Sequence, residues 1–87
     1  MDLNTEIEEI VKDGLSKLEI LVSSIVYTSV FPTPLLSITL YTSYDFDALL
    51  ELVDYKYKCD RSGFILLKDT NTIIFTKETV SLLMNKL

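Results

Sequence analysis

Histidine and tryptophan are missing from this chain of 87 residues, and cysteine occurs once, at Cys59. One cysteine closes no intrachain disulfide, which fits a reducing compartment. Without histidine there is no Ser-His-Asp triad, no Cys-His dyad and none of the usual zinc sites. Glycine is confined to Gly14 and Gly63, and neither belongs to a glycine-rich phosphate loop. Scattered carboxylates such as Asp45 and Asp47 have no base beside them in sequence, so no enzyme, cofactor or metal is expected. Long apolar runs are lacking too. The most apolar stretch, Ile20 to Phe31, has twelve residues, against the roughly 20 that span a bilayer. The N-terminus is acidic, unlike that of a signal peptide. A cytoplasmic protein with no membrane association is expected.

What is present suits one small folded unit. Apolar residues make up 48% of the chain, enough to form a core and too many for disorder. Thirteen acids outweigh eight bases, for a net charge of −5, which disfavours polyanions at long range. The charge is uneven. Residues 1–31 hold six acids and two bases, whereas residues 55–68 hold Lys56, Lys58, Arg61 and Lys68 against Asp60.

Helical signals open the chain. Thr5 and Glu8 have capping-box spacing, Ile7, Ile10 and Val11 follow on one face, and Gly14 is placed to end the helix. Ser16 and Glu19 repeat the spacing. Leu18, Leu21, Val22, Ile25 and Ser29 then recur at helical intervals, although the β-branched and aromatic content of residues 20–31 favours a strand. Strict alternation fails at Ile20-Leu21-Val22 and at Ile25-Val26-Tyr27, so a helix is preferred there. Pro32 and Pro34 end that element. Residues 35–42 lean to strand by composition. Ser43 or Asp45 then caps a helix over residues 45–57, with Phe46, Leu49, Leu50, Val53 and Tyr57 on one face. Residues 64–68 and 72–76 form a hairpin around Asp69-Thr70-Asn71, with Asn71 suited to positive φ. Thr76 or Thr79 caps a last helix carrying Val80, Leu83, Met84 and Leu87. The expected core is Leu18, Val22, Ile25, Leu49, Leu50, Val53, Phe64, Ile65, Ile74, Phe75, Leu83 and Met84.

The order LSKLEILVSSIVY, PLLSITLYT, SYD, FDALLELVDYKYK, then S-G-F-I and a hairpin returning through I-I-F-T-K-E into V-S-L-L-M-N-K-L, resembles a winged helix-turn-helix domain of small archaeal and bacterial transcription regulators. That resemblance covers residues 15–87, with residues 1–14 as an acidic N-terminal helix. It implies a mainly α fold with a C-terminal β-hairpin as the wing. It also implies a homodimeric DNA-binding regulator that reads double-stranded DNA with residues 45–57. Keeping every strand-like segment as a strand gives the alternative, an α+β sheet with flanking helices similar to the roadblock and longin scaffolds. That alternative implies a protein-interaction module without DNA binding.

The residues divide between these readings. Tyr55, Lys56, Lys58, Arg61 and Lys68 interleave aromatic and basic side chains and are the candidate phosphate contacts. The acidic leader offers Ile7, Ile10, Val11 and Leu15 as a near-heptad seam for a dimer contact. Asp47, Glu51 and Asp54 oppose DNA and instead suit a basic protein partner.

Overall fold

A computed structural model describes residues 3–28, 34–53 and 63–87. In chain order the elements are helix α1 (Leu3–Lys17), strand β1 (Val22–Thr28), strand β2 (Leu35–Leu40), helix α2 (Ser43–Leu52), strand β3 (Phe64–Leu67), a 3-10 turn (Lys68–Thr70), strand β4 (Thr72–Phe75) and helix α3 (Lys77–Lys86). The strands form one antiparallel sheet in the order β1-β2-β4-β3. The fold is therefore α+β, which corrects the mainly α winged-helix expectation. Residues 22–28 are a strand and not a helix. The hairpin is no peripheral wing either, because β4 sits inside the sheet, paired with β2 on one side and β3 on the other. The element order is that of the mixed-sheet alternative: helix, two strands, helix, two strands, helix.

Composition explains the two disputed strands. β2 reads LLSITL and alternates in burial, with Leu36, Ile38 and Leu40 inward, the period-2 pattern of a half-buried strand. β1 reads VSSIVYT and pairs with β2 along its length, with an irregular register between Val22 and Ser24. That bulge inserts one residue, so the inward positions are Val22, Ile25 and Tyr27, opposite Leu40, Ile38 and Leu36.

The core lies between one face of this sheet and the described helices. Val11 and Leu15 of α1, Phe46 and Leu49 of α2, Val53 just beyond it, and Leu83 of α3 are buried against Leu36, Ile38, Leu40, Ile73 and Phe75. Phe64 meets Phe75 edge to face at 5.6 Å between ring centres, within the favourable range for aromatic pairs. Of the expected core, Leu49, Val53, Phe75 and Leu83 are buried, and Val22, Ile25, Leu50, Phe64, Ile74 and Met84 are half-buried. Leu18 and Ile65 are exposed.

The ends of α1 and the start of α2 differ from the sequence expectation, whereas α3 starts at Thr76 as expected. α1 starts before Thr5 and runs through Gly14, whose position admits the Leu87 side chain close by. It stops one turn later, where Glu19 takes φ 62°. The Glu19 N–H donates to the Ser16 carbonyl (2.9 Å) and the Ile20 N–H to the Leu15 carbonyl (2.9 Å). Those two bonds and the buried pair Leu15 and Ile20 make a Schellman end. α2 is capped by Thr42, whose Oγ1 accepts from the Asp45 N–H at 3.0 Å. α3 begins at Thr76, whose N–H donates to Thr79 Oγ1 at 3.0 Å. The Thr79 hydroxyl donates to the Gly63 carbonyl. A side chain at Gly63 would collide with the Thr79 methyl, so a glycine lets the start of β3 lie against the start of α3. Asn71 adopts φ 53°, ψ 44° in the β3–β4 turn, as its identity predicts.

Candidate functional site

Every sheet has two faces, and here the described helices occupy one. Strand register defines the other. One row across it runs Val26, Ser37, Ile74, Ile65 from β1 to β3. The next runs Ser24, Thr39, Thr72, Leu67, and Thr28 pairs with Leu35 at the end of β1 and β2. Val26, Ile65 and Leu67 are 51%, 46% and 48% exposed. Just outside the β1–β2 ladder, Leu21 and Tyr41 are also exposed.

Two properties distinguish this open face. Its ten residues are five apolar and five hydroxyl-bearing, with no ionisable side chain among them, in a chain with 21 charged residues. Its hydroxyls are also partly satisfied internally. Thr39 Oγ1 and Thr72 Oγ1 lie 2.9 Å apart across β2 and β4, and Thr70 Oγ1 donates to Thr72 Oγ1 at 3.0 Å. A hydroxyl that already has a partner loses little when water is removed above it. The surface is therefore half apolar, and two of its five hydroxyls, those of Thr39 and the buried Thr72, are already bonded.

The edge beside it is closed on the β1 side. The Tyr27 N–H donates to Glu8 Oε2 of α1 at 2.9 Å. A carboxylate on an edge strand's backbone donor blocks a further strand from pairing there.

The residues singled out in the sequence fall elsewhere. Tyr55, Lys56, Lys58 and Arg61 lie outside the described residues, as do Tyr57 and Cys59. Lys68 is exposed in the turn after β3. Val11 and Leu15 are fully buried in the chain's own core, Ile7 is half-buried against it, and Ile10 is exposed. Asp47 and Glu51 are on the exposed side of α2, whose other side carries Phe46 and Leu49 into the core. The helix expected to read DNA packs through Phe46 and Leu49 on the inner face of the sheet. Among the described residues, no three His, Cys, Asp or Glu side chains are grouped to hold a metal ion, and no helix is long and apolar enough to cross a membrane.

A shallow cleft of about 380 Å³ lies between α1 and α3, lined by Ile10, Gly14, Leu18, Met84 and Leu87 with Asp13, Lys17 and Lys86 around them. It mixes charges of both signs. At the opposite end of α3, Glu78 is held below the usual carboxylate range by backbone hydrogen bonding in the first turn and by the Thr76 hydroxyl, 3.0 Å away. No protein-family model, curated protein or solved structure matches this chain.

Proposed function

We propose that this chain is a protein-interaction module that docks through the open face of its sheet and does not bind DNA. The observation that carries the reading is the uncharged, half-apolar face led by Val26, Ile65 and Leu67. Exposed apolar side chains gathered on one uncharged face are a liability for an isolated soluble domain and suit a place where another macromolecule sits. DNA favours the opposite surface: cations and donors aimed at phosphate. The acidic α2 side and the net charge of −5 work against that approach.

Two measurements test the proposal. Titration of fluorescent duplex DNA at low salt should give no binding. Binding that weakens steeply as salt rises would overturn the reading. In the cells that naturally make the protein, a photo-crosslinking residue at Val26 or Ile65 should give discrete protein adducts, and one at the exposed Glu9 of α1 should not. Equal adducts from all three positions, or none from any, would also overturn it.

A further inference from the structure

We infer that the open face takes a second copy of this chain, two sheets packing face to face about a two-fold axis. This rests on the interaction reading above and names the partner. Charge argues first. Each copy carries −5, and the open face is where two copies can meet without opposed carboxylates.

Shape argues next. An in-plane two-fold axis parallel to the strands, running between β2 and β4, places β1 of one copy over β3 of the other and β2 over β4. Each cross-strand row then faces its own reverse. In the first row Val26 meets Ile65 at both ends, and the bulkier Ile74 lies over the small Ser37 in the middle. In the second row Leu67 lies over Ser24, and Thr39 over Thr72. Large sits on small or apolar on apolar at every position of these two rows but the pre-bonded threonines. That is the self-complementarity an isologous interface needs. Sheets stack about 10 Å apart with strands within about 30° of alignment, which leaves room for side chains of these sizes.

Edge pairing does not compete on the β1 side, where Glu8 occupies the Tyr27 N–H. Size sets the strength. Strands spaced about 4.8 Å apart and rising about 3.4 Å per residue give a face roughly 20 Å on a side. Two copies then cover on the order of 800 Å² of projected surface, below the roughly 1,200–2,000 Å² of stable complexes. The dimer is therefore a weak, reversible one.

Sedimentation equilibrium of the full chain, from micromolar to near-millimolar concentration, tests this directly. The wild type should shift towards twice its monomer mass as concentration rises. Val26→Asp and Ile65→Asp lie at opposite edges of the face, on half-exposed sites. Each should keep its circular dichroism spectrum and weaken association by about tenfold or more. In a Cys59→Ser background, a mixture of Val26→Cys and Ile65→Cys proteins should form an intermolecular disulfide faster than either alone. A wild type that stays monomeric throughout overturns the inference. So do folded Asp variants that associate like wild type, and so does a Val26→Cys protein that cross-links to itself as fast as the mixture does. Monomeric wild type with position-specific adducts at Val26 and Ile65 removes the second copy and keeps the interaction reading. Loss of the adducts as well removes both.

Discussion

At the residue scale, the left-handed position of Glu19 is the clearest local cost. A side chain at φ 62° brings Cβ towards the following carbonyl, a strain of about 1–2 kcal/mol that glycine avoids. Glycine's greater freedom in the unfolded chain offsets part of the gain. Glu19→Gly should therefore stabilise the fold by about 0.5–1 kcal/mol in urea unfolding. Glu19→Ala, which keeps a Cβ, should show no such gain. An equal effect of both substitutions would place the benefit in the lost charge. The contrast with Asn71 explains what was legible at this scale. Asparagine between two strand-like runs announces positive φ, and Asn71 has it. Glutamate announces nothing. Its conformation is imposed by Leu15 and Ile20 closing over the end of α1, a tertiary cause that local identity does not carry.

At the element scale, the contact between α1 and β1 is held by a polar bond as well as by packing. The part-buried Glu8 carboxylate is the acceptor for the Tyr27 N–H. Glu8→Ala removes the acceptor and leaves that donor to water or to another strand, at a cost of about 1–2 kcal/mol. Hydrogen exchange should quicken at the Tyr27 amide more than at its neighbours. Glu8→Gln, which keeps an oxygen in place, should lose less. Uniform exchange along β1 in Glu8→Ala would show that the bond does not hold the edge. The same strand is where sequence patterning misleads. The bulge between Val22 and Ser24 sets two inward residues three apart, at Val22 and Ile25, and so imitates a helical interval. Val26 then breaks the alternation because it is apolar on the outer face. Leu18 and Leu21 complete the false helical stripe from an exposed turn. The β-branched content was the better guide, because it reflects how side chains fit a pleated surface. β2, with no bulge, was legible as a strand.

At the scale of the whole molecule, two questions separate: what holds the fold and what the fold presents. The expected core held the buried Leu49, Val53, Phe75 and Leu83 but missed Val11, Leu15, Ile20, Leu36, Ile38, Leu40, Phe46 and Ile73. A winged-helix order leaves no sheet for residues 35–40 to enter, so that topology gives this strand, legible by its composition, no place in the core. It also placed Ile65 inside, because a strand with apolar residues on both faces does not say which face is covered. The two faces should differ sharply in energy. Leu36 and Ile38 are fully buried on the inner face, so Leu36→Ala or Ile38→Ala should cost about 2–5 kcal/mol. Val26→Thr and Ile65→Thr keep the β-branched shape and sit about half exposed, so each should cost under about 1 kcal/mol. Unfolding must be followed at low protein concentration, because a self-associating native state gains apparent stability by mass action. At higher concentration the wild type should gain midpoint stability while Ile65→Thr gains less, which links the outer face to association. Inner and outer substitutions of equal cost in dilute solution would mean that Val26 and Ile65 are packed within the chain, leaving the sheet no open face to dock with.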